Sequence, residues 1–411
     1  MKKVLSSMAV LAVGAAVAPS APAQDKPWNV SASLRGFYDD NYTTAAKPAP
    51  KLHSFGFEVS PSVSYRLAFD PTVITAGYKY GMRYFEDRAS RNISSIDQSH
   101  DLNLKLVHQF PERYRLEVSD NFVVSQEPTL DSGVNSLPFR SNGNNIRNVA
   151  NGIFSGELNP TFGYDVSYGN TFYDYSAKGT NSYSALLDRV EHLAGANLRW
   201  NATQSTTALV GYQFGIVDMT SNDRIFKDRD HTLVAPASSR DNTSHYGFVG
   251  AEQLITRQLK ATGRVGVQYT DYSNAVPKTS NVSPYVDANA TWEYLPGSTV
   301  MLGVKHARNA TDVSTGTLDA ESTAVYGQWS HKLTPQMTAS LLGQFQSSAF
   351  NRGLDNNKAE NLLMAGVNLS YEVIKNRLST EVGYNFDRLD SDLTGRSYSR
   401  NRCYIGIRAS Y

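Results

Sequence analysis

The chain has 411 residues, with 39 Lys and Arg against 38 Asp and Glu, a formal net charge of +1 and a single cysteine. Near-neutrality excludes the basic footprint of a nucleic-acid binder, and a lone Cys403 excludes a disulfide framework and a multi-cysteine zinc site. Charged residues make up 19% and aromatic residues 11%, a balance that favours one β-rich domain over the two or three soluble domains such a length would otherwise allow.

The first element is an address. Lys2 and Lys3 precede a mostly apolar stretch from Val4 to Ala18, and Pro19-Ser20-Ala21-Pro22-Ala23 ends in an Ala-x-Ala pattern. This is the layout of a secretory signal, with cleavage expected before Gln24. The stretch is short of the ~20 apolar residues of a spanning helix. The expected organisation is therefore a cleaved signal over 1–23 and one domain over 24–411. Losing Lys2 and Lys3 leaves 37 basic against 38 acidic residues, a net charge of -1.

From Trp28 onward, one pattern recurs. Phe55, Phe57, Val59, Val63, Tyr65 and Leu67 interleave with Glu58, Ser60, Ser62, Ser64 and Arg66. Ile74, Ala76, Tyr78, Tyr80, Met82 and Tyr84 interleave with Thr75, Gly77, Lys79, Gly81 and Arg83. The same alternation runs through 259–269 and 378–386. Successive side chains of a strand point to opposite faces, so each run has a greasy face and a small or charged one. The runs are longer than the ~5–6 residues of soluble strands and suit tilted strands crossing a membrane. Pro61 and Pro284 fall inside such runs and are expected to mark bulges or bends.

Connections alternate in length. Short turns fall at 70–71, 111–113, 159–161, 201–204, 256–257, 296–298, 334–336 and 375–376. Longer polar segments lie near 43–53, 86–97, 126–147, 177–187, 220–242, 273–280, 311–318, 351–357 and 391–395. This predicts an all-β, closed antiparallel transmembrane barrel of about 18 strands, with short periplasmic turns and long outer loops. Ambiguous parity near 245–255 and 320–331 gives a range of 16–18. Closure is required, because unpaired edge groups in hydrocarbon cost several kcal/mol each. A blade repeat of ~40–45 residues, the mark of a propeller, is absent. Trp28, Tyr84-Phe85, Trp200, Trp292 with Tyr294, and Tyr371 sit near run ends, as interfacial aromatics do. In the last run Cys403, Ile405, Ile407, Ala409 and Tyr411 share one face; the aromatic end Tyr411 is the expected membrane-insertion signal, read by the barrel assembly machinery.

Charges on the polar faces are the candidate pore lining: Arg66, Lys79, Arg83, Lys105, Arg113, Arg115, Glu117, Lys260, Arg264, Glu381 and Arg408. Charged walls are how pores select; the plainer alternative is that these groups pair across strands and stiffen the wall. The loops at 126–147 and 220–242 are the longest; each is either a solvated surface loop, as long loops usually are, or an inward constriction. The second carries Asp223, Arg224, Lys227, Asp228, Arg229, Asp230 and His231. Catalysis is not expected. His100 shares a face with Leu102, Leu104 and Leu106, which makes it an interfacial side chain. His53, His245 and His306 have no recognisable partner spacing, and no phosphate loop is present. The Asp39-Asp40-Asn41 run offers oxygens to calcium, but a single acidic turn makes no site. No cofactor or metal is expected.

The opening Gly36-Phe37-Tyr38-Asp39-Asp40-Asn41-Tyr42, with Glu58-Val59-Ser60-Pro61-Ser62-Val63-Ser64-Tyr65, resembles the first hairpin of β-barrel porin-2 type outer-membrane families. The resemblance implies a bacterial outer-membrane barrel and no catalytic residues. Its members include both porins and barrels tied to exopolysaccharide export. The expected function is passive diffusion of small hydrophilic solutes or saccharides through a water-filled lumen, in contact with outer-membrane lipid. The alternative is an exopolysaccharide-export component, or an adhesin or scaffold barrel with a closed lumen. The solute and the oligomeric state are open at this stage.

Overall fold

The computed structural model describes residues 26–91, 94–125 and 145–411. The expected signal over 1–23 and most of the 126–147 loop lie outside the described residues.

Eighteen antiparallel strands form one closed sheet. In chain order they begin with β1 (Trp28–Asp39), β2 (Ser54–Phe69), β3 (Thr72–Phe85), β4 (Ile96–Gln109) and β5 (Tyr114–Ser125). Next come β6 (Asn145–Glu157), β7 (Phe162–Tyr175), β8 (Arg189–Asn201) and β9 (Thr206–Met219). A two-stranded ribbon, β10 (Arg224–Phe226) with β11 (Val234–Pro236), interrupts the meander in one loop. The wall resumes with β12 (Asn242–Leu254), β13 (Leu259–Tyr272), β14 (Thr279–Leu295), β15 (Ser298–Asn309) and β16 (Asp319–Lys332). It ends with β17 (Met337–Asn351), β18 (Ala359–Ile374), β19 (Leu378–Ser391) and β20 (Tyr398–Ser410). Each wall strand pairs with its sequence neighbour, β9 pairs with β12 across the ribbon, and β20 pairs with β1 to close the ring. Eight short turns and nine longer connections fall where the sequence places them. The upper end of the 16–18 range is the correct one, and both described ends of the chain lie on the short-turn side.

The alternation fixes the two faces. On β13, Leu259, Ala261, Val265, Val267 and Tyr269 face outward, while Lys260, Thr262, Arg264, Gln268 and Thr270 face the lumen. The outward set on this and neighbouring strands is exposed: Val265 is 57% and Val249 57% accessible. Exposed Val and Leu on nearly every strand are what a lipid-facing surface requires. No helix among the described residues is long and apolar enough to cross a membrane; the strands, of 12 to 17 residues, are long enough to do so.

The closing seam is reinforced at both ends. On the loop side Arg400 on β20 donates to both carboxylate oxygens of Asp39, both groups being buried. On the turn side Tyr411 and Val30 exchange two backbone hydrogen bonds, at 2.8 and 3.2 Å. The Tyr411 ring lies 5.6 Å from that of Trp28.

Neither proline makes a bulge. At Pro61 the β2–β3 ladder is interrupted between Val59↔Met82 and Ser62↔Lys79 with no change of register, so there is no bulge. Pro284 lies in β14 just beyond the point where its pairing with β15 stops, at Val286↔His306, while its pairing with β13 is continuous. Residues 279–285 thus splay from β15. Arg308 bridges the gap, donating to Ser283 Oγ, Asp319 Oδ1 and Glu321 Oε2 at 3.2, 2.9 and 2.9 Å. The aromatic pair Tyr84-Phe85 is also split: Tyr84 faces outward, and Phe85, 1% exposed, packs inside against Phe37 and Tyr42.

Candidate functional site

The lumen differs along its length. Near the loop end the inward side chains are buried: Asp39, Phe85, Met219, Tyr272, Phe350, Leu389 and Arg400 are all under 9% exposed. Near the turn end Arg66 and Arg408 are exposed. The interior is therefore packed at one mouth and solvated at the other.

The packing at the loop end is made by the loops themselves. A short helix, α1 (Tyr183–Leu187), is capped by Ser182 Oγ, which accepts from Ala185 N at 3.1 Å. Ala185, Leu186 and Leu187 form a buried cluster with Ile225 of β10. Arg240, 3% exposed, donates to the carbonyls of Leu186 and Thr311 at 3.3 and 2.8 Å and also to that of Val313. Burial depresses this guanidinium to about 10. One side chain thus joins three loops, those before β8, before β12 and before β16. Arg396, before β20, holds Asp312 with two 2.8 Å hydrogen bonds and also reaches Glu360. Asp355 accepts from Lys358 at 2.8 Å, from Arg229 at 3.3 Å and from Thr315. Although its partial burial works the other way, the Lys358 and Thr315 hydrogen bonds hold the carboxyl below its usual range. The charged cluster at 223–231 is divided: Arg229 joins this layer, whereas His231 is exposed and stacks on Phe226.

Below that layer lies the charged wall. Glu58 is its centre: it accepts from Arg83 Nε at 2.7 Å and from Arg35 Nη1 at 3.4 Å. Arg35 also donates through Nε to Glu381 at 2.6 Å, and its guanidinium lies 5.0 Å from the Tyr404 ring centroid. Lys105 and Arg115 both contact Glu117, at 2.5 and 2.7 Å. Arg264 lies over Phe248, 5.4 Å from its centroid, in a lumenal cluster with Leu209 and Tyr285.

The register places Arg66, Lys79, Arg83, Lys105, Arg115, Glu117, Lys260, Arg264, Glu381 and Arg408 on the inward face. Arg113 is not on the wall: it occupies the turn between β4 and β5 with φ 98°, at the rim. Two kinds of wall charge emerge. Arg83, Lys105, Arg115 and Glu381 are tied into ion pairs. Arg66 has no side-chain partner among the described residues, and Arg408 reaches only Ser31 Oγ, at 3.2 Å. Arg35 and Arg400 were not picked out from sequence, although the small residues Ser31 and Ser33 on its face would have placed Arg35 inside.

The Asp39-Asp40-Asn41 run holds protein rather than a cation. Asp39 is committed to Arg400, and Asp40 to Lys51 at 2.8 Å and to Asn401. His100 faces outward, as its neighbours imply. His306 contacts Thr323 and Glu321 at 2.7 and 2.9 Å, near the loop end. Among the described residues no group of three or more His, Cys, Asp or Glu is arranged to hold a metal ion.

Residues 216–411 match a family described as "Putative beta-barrel porin 2". The match begins within β9 and runs to the last residue; the first hairpin, which carries the resemblance in the sequence, lies outside it. No curated protein matches the chain. Among solved structures, it is similar to a BenF-like porin from Pseudomonas fluorescens Pf-5, with 10% identity, TM-score 0.48, and 94% and 99% of the two chains covered. It is also similar to OccAB4 of Acinetobacter baumannii, with 11% identity, TM-score 0.46, and coverage of 95% and 100%. The outer membrane protein opdK of Pseudomonas aeruginosa aligns with 10% identity and TM-score 0.45 over 93% and 99%. Likeness at these values adds nothing to what the strand order establishes.

Proposed function

We propose that this chain, whose C-terminal half matches a β-barrel porin family, is a bacterial outer-membrane channel for passive diffusion of small hydrophilic solutes. The observation that carries the reading is the lumen wall. Ser, Thr, Asn, Gln and charged side chains line a closed 18-stranded sheet whose outer face is apolar, and a barrel of this strand number is wide enough for an aqueous path. Arg66 and Arg408, which have no carboxylate partner among the described residues, lie in the solvated half and favour anionic or polyhydroxylated solutes. The wall carboxylates Glu58, Glu117 and Glu381 are each engaged by arginine.

A second reading, a scaffold barrel with a closed mouth, is favoured by one observation, the mutual burial of the loops around Arg240. Single-channel recording separates the two. Refolded residues 24–411 in a planar bilayer under a salt gradient should give stable open steps with a reversal potential on the anion side. A folded, heat-modifiable barrel that conducts nothing would remove the channel reading and leave the scaffold.

A further inference from the structure

The outer face carries a repeated polar device that the channel reading does not use. Tyr78 is the seventh residue of β3, Tyr168 of β7 and Tyr212 of β9. Each hydrogen-bonds, through its hydroxyl, the Nδ1 of a histidine on the following wall strand: His100 at 2.8 Å, His192 at 2.7 Å and His245 at 2.6 Å. The diagonal is the same each time. His100 lies opposite Tyr80, His192 opposite Asn170 and His245 opposite Phe214, each two residues beyond the tyrosine. At the same station of β19 and β20, Tyr384 donates to Asn401 at 2.6 Å, and β5 and β6 place Asp120 and Asn148 there. On β13 and β17 the station is Val265 and Gly343. The belt therefore occupies part of the circumference, and its histidines lie near the loop end of their strands.

The chemistry is directional. Asn170 Nδ2, a donor only, also approaches His192 Nδ1, at 3.2 Å, so that nitrogen accepts and the ring proton sits on Nε2. The Nε2 atoms of His100, His192 and His245 have no protein partner among the described residues. At His192 this leaves an Nε2–H donor on the outward face; the Tyr78 and Tyr212 hydroxyls are placed to donate to Nδ1 of His100 and His245 in the same way, and all three rings lie near the loop end of their strands. Two residues further toward the loops, about 7 Å along a strand, Asp218 lies diagonal to His192 and Asp271 diagonal to His245.

We infer that this belt binds the phosphate of membrane lipids in the loop-side leaflet, with each imidazole Nε2–H donating to a phosphate oxygen. An N–H donor facing the interface is satisfied by a charged acceptor, and hydrogen bonds to charged groups are the stronger kind. Asp218 and Asp271 stand one step outside, where the positive counter-charge of a phosphorylated headgroup lies. An ordinary aromatic girdle would need neither the histidines nor the repeated diagonal.

The test is lipid retention. The full-length barrel is refolded into vesicles holding equal amounts of a phosphorylated lipid and a phosphate-free glycolipid of the same chains. It is then released into mild detergent, and the co-purifying lipid is counted by native mass spectrometry. Wild type should retain the phosphorylated lipid several-fold over the glycolipid. The triple variant His100→Phe, His192→Phe, His245→Phe keeps interfacial aromatic rings and should lose that preference while still showing heat-modifiable migration. Equal retention of the two lipids by wild type would overturn the inference without any variant. So would a folded triple variant that keeps the preference. Neither outcome touches conductance, so the belt and the channel reading stand or fall separately.

Discussion

At the scale of single residues, the useful distinction is between wall charges that are answered and those that are not. Arg83 and Arg115 face the lumen, but each is held by a carboxylate, Glu58 or Glu117, at 2.7 Å. Arg66 and Arg408 are exposed and, among the described residues, have no carboxylate within ion-pair reach. Fields in a pore come from net local charge, not from the number of ionisable groups. Replacing Arg66→Glu together with Arg408→Glu should therefore move the reversal potential toward cations more than Arg83→Glu with Arg115→Glu. The second pair also sets a new acid against each of Glu58 and Glu117 and should lower stability. Bi-ionic potentials for the two double variants decide it; equal shifts would remove the special position of Arg66 and Arg408.

At the scale of elements, the loops form a structure of their own. The Leu186, Thr311 and Val313 carbonyls converge on Arg240, although they belong to loops far apart in the chain. A buried acceptor left without a donor costs about 1–3 kcal/mol, so Arg240→Ala, which strands three, should loosen the layer by at least ~3 kcal/mol. The barrel below it has its own ladders and should be unaffected. Limited proteolysis should cut within 220–242 and 311–318 much faster in the variant, with unchanged heat-modifiability. If the layer restricts the mouth, the same variant conducts with longer or larger open steps. Unchanged cleavage would mean that the loops do not depend on Arg240.

At the scale of the molecule, closure is decided at one seam. β1 and β20 come from opposite ends of the described chain, and the buried pair Asp39–Arg400 bridges 361 positions. Removing one member of a buried ion pair leaves the other charge uncompensated, typically at 3–5 kcal/mol. Asp39→Ala should accordingly lower the unfolding free energy of the refolded barrel by about 3–5 kcal/mol in urea titration. The loss should be smaller if Arg400→Met is added, because the stranded charge is then gone. An Asp39→Ala barrel as stable as wild type would show that the backbone ladder alone holds the seam.

Strand number to within two, turn positions and the sorting of most phased residues to lipid or lumen were legible from the sequence alone. All of them follow from a period of two and from the contrast between short and long connections, which are local properties of the chain. His100 was placed correctly on the outer face by its leucine neighbours, and Arg66 on the inner face by its serines. What the tertiary structure decided is partnership. Whether Arg83 is free or bound to Glu58, whether Asp39 offers its oxygens to a cation or to Arg400, and whether the loop at 220–242 is a surface feature or a clamp depend on residues tens to hundreds of positions away. The same holds for the splay at Pro284 and for the Tyr–His belt, whose members look unrelated until the register sets them on one diagonal. Periodicity reports the face a side chain occupies; only the closed sheet, by fixing the neighbours across each ladder, determines what it meets there.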